Sequence, residues 1–527
     1  MVHPRESLFR PLLLCVIVLA ALLRFVQLDS IPYGVNVDEA ERGYEAYSLL
    51  KTGHDQHGHR WPVTLEGFSK REDNASAISA YAAIPFTAML GPGVLAVRLP
   101  SALAGVLSVI ALIYLARRLS GDWRVGVLAG FFLAVSPWHL TVSRTGHEAI
   151  WTTTLFLLGA VTYFTALERK PWLLPLSALT WGIGFYGYGP GKVFIPLAAL
   201  TCIVCTWKQL LRFRKPLFVS AAVGLFLAVP LFWMSFGQVG LGRFVQVSNF
   251  SNGFALGLLV SIKNMLVYIS PVHWASGLLS TSPFDWLLMF IGIPTFLYFS
   301  KHLSPRIPVR GLAIGWLLAA LLPAALTDVN PSQLRAIGLT CALFLFGTWG
   351  FVALWDRIPS KFQGQKARVA TASFSFSLIV LGLVLFWRPA YALRHKSWGA
   401  TSGYLPAIQP VVQALKTTYA NAPEVRIVTD YLNQPQIYIM LLTPWPPETL
   451  TSDHLFMQTS ENWYTSSKLG RYVFCERETC RTTAKGVLYV EILGSDEPST
   501  LGTHILQRIP IQDLAKVGVA WTISTNP

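Results

Sequence analysis

Residues 9–28 read FRPLLLCVIVLAALLRFVQL, and residues 29–62 then read DSIPYGVNVDEAERGYEAYSLLKTGHDQHGHRWP. The first stretch is long and apolar enough to cross a bilayer as a helix, which takes about 20 such residues. Arg24 interrupts it and no clear small-residue cleavage site follows, so it reads as a retained anchor. The second stretch is polar, and Asp38 and Glu39 stand side by side in it. An isolated Asp-Glu pair is most simply a solvated turn. Carboxylates held just outside a bilayer also suit an enzyme whose substrate is itself a lipid.

The rest of the chain repeats the first pattern. Of 527 residues 53% are hydrophobic and 13% charged, against about 25% charged in soluble domains. With a mean hydropathy of +0.46, this is the composition of a polytopic α-helical membrane protein. About eleven spans are expected, near 9–28, 97–116, 125–141, 150–167, 172–187, 191–207, 216–236, 284–300, 311–326, 336–355 and 370–387. The net charge of +15 lies largely in every second connection: Arg117, Arg118 and Arg124; Arg169 and Lys170; Lys208, Arg212, Arg214 and Lys215; Lys301, Arg306 and Arg310; Arg357, Lys361, Lys366 and Arg368. That alternation sets one orientation, with the N-terminus cytoplasmic and the Asp38-Glu39 loop outside. It also accounts for the basic balance with no nucleic acid partner.

Two apolar stretches do not fit the register as spans. The one near 77–91 is short and reads as a helix at the outer interface, and 253–270, which carries Lys263, is open to the same reading. The membrane part, 1–388, holds the outer loop 29–96. Residues 389–527 have the texture of a small extracytoplasmic α/β domain, with strand-like runs VRIVTD, RYVFC, GVLYVEIL and HILQRIPI and helix-like runs YLPAIQPVVQALKTTY and PQIYIMLL. Cys475 and Cys480 lie in that domain, where a local disulfide and two free thiols are both open readings. No repeat of transporter type is visible.

The outer loops share a set of chemistry-bearing residues. The first carries Asp38, Glu39, Glu41 and Glu45, then His54, Asp55, His57 and His59. The second, SPWHLTVSRTGHEAIW, carries Arg144, His147 and Glu148; the turn FYGYGPGKVF carries Tyr186, Tyr188 and Lys192; LTDVNPSQLRAIG carries Asp328 and Arg335. Arg144, Lys192 and Arg335 stand at span ends on the side where cations are under-used. Singly each suits a snorkelling residue; together, beside carboxylates, they suit a phosphate. His54, His57 and His59 have the ligand type for zinc but no recognised zinc spacing, and a polar loop is the simpler reading.

In order and local sequence these blocks resemble glycosyltransferase family 39, the GT-C membrane transferases that include protein O-mannosyltransferases and lipid A aminoarabinose transferases, and most closely its bacterial members. DEAERGYEAYSLLKTGHDQHGHRWP is similar to the first outer loop of those enzymes and AVRLPSALAGVLSVIALIYLARRL to their second span. SPWHLTVSRTGHEAIW, FYGYGPGKVFIPL and NPSQLRAIG resemble later blocks. The resemblance implies that Asp38 is the base toward the acceptor hydroxyl, with Glu39 its acidic neighbour and Glu148 a second acidic position. It implies a donor phosphate near Arg144, Lys192 and Arg335, with His147, Tyr188, Asp73 and Lys70 as substrate contacts. One block departs: where many relatives have an Asp-Tyr-Lys-Pro-Pro-like run, this chain reads REDNASAIS, so that Asp73 keeps an acid and Lys70 or Arg71 stands for the lysine.

The expected activity is transfer of a sugar from a polyprenyl-phosphate donor to a lipid, glycan or protein acceptor at the outer face of a bacterial plasma membrane. No cofactor is required, and an acidic loop could take up a divalent metal. The alternatives are a transporter or flippase of lipid-linked sugars, whose ionisable groups belong near mid-membrane, and a catalytically idle relative.

Overall fold

The computed structural model describes residues 9–68, 75–236, 248–270, 283–300, 308–327, 334–357, 404–405, 407–430, 432, 434–450, 457–458, 464–494, 498–499, 501, 503–511 and 519–526. The span expected at 370–387 lies outside them. The chain divides into two compact units. One takes Met1–Val26, Ser101–Ser143 and Glu148–Pro389, and the other Gln27–Pro100, Arg144–His147 and Ala390–Pro527. The loop 29–96 thus belongs with the C-terminal residues.

The helices, in order, are α1 (Phe9–Phe25), α2 (Val37–Thr52), α3 (Ile78–Leu90), α4 (Val94–Ser120), α5 (Trp123–Val135), α6 (Pro137–Arg144), α7 (Ala149–Glu168), α8 (Leu174–Gly184), α9 (Gly191–Leu210), α10 (Arg214–Phe236), α11 (Phe254–Ile269), α12 (Val309–Ala325), α13 (Leu339–Trp355), α14 (Ile408–Lys416) and α15 (Pro435–Leu442). Before α12, residues 283–299 form a helix interrupted by a π turn at Leu288–Gly292. Among the described residues three helices (α4, α7 and α9) are long and apolar enough to cross a membrane, and α5 with α6 makes a fourth if this pair, bent by 59°, is one span. Proline accounts for several shorter or bent elements, since it removes a helical hydrogen bond and crowds the preceding turn. Pro137 begins α6 at the bend, and Pro85 and Pro323 fall inside α3 and α12.

In the helical unit the core is aromatic. Phe156 meets Phe194 at 4.8 Å and Trp316 at 4.9 Å between ring centroids. Two buried indoles are satisfied by backbone, Trp181 donating to Phe156 O and Trp316 to Ala198 O. Phe218, Leu225 and Phe226 on α10 are exposed, the surface that hydrocarbon rather than water would cover. Arg24, buried in α1, donates to the carbonyls of Ala20 and Ala134 and lies 2.9 Å from His139 Nδ1. Its charge is therefore absorbed at the break between α5 and α6, where carbonyls lose their helical partners.

The other unit is built on strands β1 (Val35–Asn36), β2 (Thr64–Leu65), β3 (Ala75–Ser76), β4 (Tyr404–Leu405), β5 (Val425–Val428), β6 (Met457–Gln458), β7 (Tyr464–Thr465), β8 (Lys468–Leu469), β9 (Tyr472–Cys475), β10 (Leu488–Gly494), β11 (His504–Pro510) and β12 (Val519–Thr525). Six of them form one sheet in the order β11-β12-β10-β5-β9-β8. β5 runs parallel to both β10 and β9, and the outer pairings are antiparallel. The four strand-like runs each coincide with a strand of the sheet and PQIYIMLL with α15, whereas YLPAIQPVVQALKTTY, read as helical throughout, begins in strand β4 before α14. VAWTIST, which forms β12, was not among them, although it alternates in the way a half-buried strand requires. Cys475 and Cys480 are disulfide-bonded, which settles the two readings left open for them.

Candidate functional site

Asp38 lies in the first turn of α2, and its neighbours explain why a helix begins there. Asn36 is the N-cap: its side-chain oxygen accepts the Asp38 N–H at 2.9 Å. Glu39 reaches back to accept the Asn36 N–H at 3.2 Å. This reciprocal capping box satisfies two backbone donors that a helix start leaves over. Asp38 is left half-buried, at the helix end where the backbone dipoles favour a negative charge.

Glu39, expected to act as a catalytic acid, is buried and fully engaged. Arg98 Nε and Nη2 donate to its two oxygens at 2.5 and 3.1 Å. With the Asn36 N–H already counted, the Gly146 N–H adds a fourth donor at 3.3 Å. That approach needs glycine, because a Cβ on residue 146 would lie 2.4 Å from Val97 Cγ1 and 3.2 Å from Glu39 Cγ. Arg98 is itself fully buried and donates to the carbonyls of Leu28 at 3.0 Å, Pro32 at 3.1 Å and Gly34 at 2.7 Å. One guanidinium thus ties the strand entering α2 to the carboxylate that caps it, in the charge-assisted form that holds geometry best.

Arg144, read as a phosphate contact, donates to Ile31 O through Nε at 3.3 Å and Nη2 at 3.0 Å, and to Gln27 O at 3.1 Å. It too fixes the segment leading to Asp38. His147 follows it and is half-buried. Asp73 and Lys70 lie outside the described residues. The three histidines do not assemble a metal set. His54 Nδ1 is 2.8 Å from Thr52 O, His57 Nε2 is 2.9 Å from Gly67 O, and His59 Nδ1 is 3.0 Å from Asp55 Oδ2. No group of three metal-ligating side chains occurs among the described residues. Each ring spends a nitrogen on a different acceptor, which is what a polar loop does to stay folded.

Beneath this loop, Glu45 on α2 is fully buried and accepts the Gln56 N–H at 3.1 Å. Burial, then the nearby Asp55 and Glu41, holds its carboxyl well above the ordinary glutamate range. Burial likewise lowers the pKa of His57.

The helical unit carries the remaining expected residues. Glu148 stands half-buried just before α7, its carbonyl accepting the Trp151 N–H. Tyr188 O accepts the Gly191 N–H at 2.8 Å and Gly189 O the Lys192 N–H at 3.0 Å. This tight turn puts Lys192 in the first helical turn of α9. Arg335 lies in the turn before α13, and its Nη1 is buried with no hydrogen-bond partner among the described residues. Buried Tyr268 lies within electrostatic reach of both Arg335 and Tyr188. A buried guanidinium donor without an acceptor is unfavourable by itself and suits an anionic ligand.

Residues 76–233 match the family described as dolichyl-phosphate-mannose-protein mannosyltransferase. ArnT from Cupriavidus metallidurans bound to undecaprenyl phosphate aligns over 97% of either chain, with a TM-score of 0.57 and 13% identity. The likeness to ArnT is one of fold. The same ArnT in the apo state gives 0.54 and 14%, over 98% of this chain and 97% of that one. The Archaeoglobus fulgidus oligosaccharyltransferase in complex with Zn and sulfate gives 0.51 and 15% over 82% of this chain, which spans 61% of that protein's length. No curated protein matches the sequence.

Two residues that organise this protein escaped a reading by motif. Arg98 appears in the sequence only as a cation in AVRLPSALAG, and its signal is a charge inside an otherwise apolar run. Asn36, three residues before Glu39, carries the capping-box signature.

Proposed function

We propose that the chain is an integral membrane glycosyltransferase that moves a sugar from a polyprenyl-phosphate donor to an acceptor hydroxyl at the outer face of a bacterial plasma membrane. The observation that carries this reading is the mounting of Asp38: a half-buried carboxylate at a helix N-terminus, with Asn36, Glu39 and Arg98 fixing the turn beneath it. Asp38 takes the proton from the acceptor hydroxyl as that oxygen attacks the anomeric carbon. The bond from that carbon to the phosphate oxygen breaks, and its electron pair leaves with the polyprenyl phosphate. That leaving group is a weak base and needs cations rather than a general acid. Arg335, with Lys192, supplies the charge, and attack opposite the leaving group inverts the anomeric centre. Glu39 and Arg144 serve by holding the loop, and Glu148, His147 and Tyr188 contact substrate.

The basic loops, read with about eleven spans, put the N-terminus in the cytoplasm and the C-terminal residues outside, where a disulfide persists. The scheme needs no metal. Titration of purified protein with undecaprenyl phosphate tests the phosphate site. Arg335→Glu is expected to weaken binding by about tenfold or more, the loss of one charged hydrogen bond. Equal binding by wild type and variant would remove the site.

A further inference from the structure

The C-terminal residues pack onto the catalytic helix at three places within their unit. First, β4 pairs antiparallel with β1, Val35 opposite Leu405 and Asn36 opposite Tyr404. Asn36 is the N-cap of α2, so the pairing fixes the residue from which Asp38 is hung. Second, Tyr44, buried in the middle of α2, donates its hydroxyl to Trp445 O at 3.0 Å. Third, α2 meets α15 at Gly43, where a Cβ would come within 2.9 Å of Leu441 Cδ1 and 2.5 Å of Val97 Cγ2. Val37, Ala40 and Tyr44, at the spacing of one helix face, share a single apolar core with Leu405, Ile408, Leu441 and Trp521.

A domain that merely followed the last span would have a core of its own. Here the inner face of α2 is part of that core, and helix and sheet order together. Resting on the reading of Asp38 as the base, we propose that the C-terminal segment is the mount of the catalytic helix, with Leu405, Leu441 and Trp445 as positioning residues for Asp38. None of them needs to touch substrate. They act by setting where the first turn of α2 lies, and a displacement of about 1 Å at a reacting group can cost about 10²-fold in rate.

The test uses the full-length protein in membranes and three variants. Leu441→Ala opens the contact at Gly43, Tyr44→Phe removes the hydroxyl that holds Trp445, and Val35→Cys/Leu405→Cys locks β1 to β4 when oxidised. For Leu441→Ala, a buried truncation that lowers the melting temperature, we expect kcat per folded protein to fall about tenfold or more with donor KM near wild type; Tyr44→Phe should show a smaller fall in kcat with both donor KM and melting temperature near wild type. The oxidised cysteine pair should retain activity. Wild-type kcat in both point variants would overturn the proposal, and so would a loss that only tracks loss of folded protein. Inactivation of the cysteine pair on oxidation would overturn it as well. Asp38→Asn separates the two readings: if it is inactive while Leu441→Ala and Tyr44→Phe are unimpaired, the mount fails and the base stands. If Asp38→Asn is fully active, the base itself fails.

Discussion

Arg98 and Arg335 are both guanidinium groups drawn into the protein, and they differ in what surrounds them. Arg98 is met by both oxygens of Glu39 and by carbonyls of the segment leading into α2. Arg335 has a buried Nη1 without a partner among the described residues. A charge that is satisfied from within builds structure, and removing it leaves its partners stranded. A buried donor that is unsatisfied from within adds little to folding and is available to an anion. Residue type and position at a span end look alike for the two; only the hydrogen-bond inventory separates them.

The largest effect should come from the satisfied arginine. Arg98→Leu strands the Glu39 carboxylate in a buried site, a loss of about 3–5 kcal/mol, and the variant should show a sharply lower melting temperature and little folded protein in membranes. An Arg98→Leu protein of wild-type stability would break the comparison on that side. Arg335→Leu should behave oppositely. Replacing a half-buried cation that has one buried donor without a partner by an apolar chain removes an unsatisfied group, so the melting temperature should hold. Affinity for undecaprenyl phosphate should meanwhile fall by about tenfold or more. A large loss of stability with unchanged affinity would assign Arg335 a structural role.

A smaller effect isolates burial from catalysis. Glu45 has its folded-state pKa raised, first by burial and then by Asp55 and Glu41; Arg42 is the opposing charge, and Tyr44 and Tyr81 also face it. The sign follows from linkage. A raised folded-state value contributes stability that is fully present below the unfolded glutamate pKa of about 4.3, and that is lost as pH rises through the folded value. Melting curves of wild type and Glu45→Gln should therefore diverge as pH rises, wild type losing ground steadily. Parallel curves across pH 4–8 would show that the Glu45 carboxyl is not held neutral. His59→Ala should do least, because the His59 side chain is 55% exposed where it meets Asp55 and pairs of that kind contribute about 0–1 kcal/mol.

The sequence made the fold class legible because apolar runs and basic loops are local patterns. It exposed the sheet in the same way, through the alternation in VRIVTD and GVLYVEIL. Asp38 stood out in the sequence by its position beyond an apolar run. What could not be read was which charges meet. Glu39 looked like a second catalytic acid because it is adjacent to Asp38, yet successive helical residues point in different directions; Glu39 turns inward to Arg98, 59 positions away. Arg144 looked like Lys192 and Arg335, and it binds carbonyls of Gln27 and Ile31. The histidines of the first outer loop have the ligand type for zinc but read more simply as a polar loop, and their partners lie mostly in the backbone. Non-local pairing is decided by tertiary structure, and no local pattern encodes it.

The most direct test follows release of polyprenyl phosphate from a panel of radiolabelled polyprenyl-phosphate sugars, using membranes that contain wild type or Asp38→Asn, with acceptor-containing extract present. The account predicts release from at least one donor by wild type and a loss of about 10²-fold or more in Asp38→Asn, the scale of a general base. Release that proceeds equally in Asp38→Asn, or no release from any donor by folded wild-type protein, would contradict it.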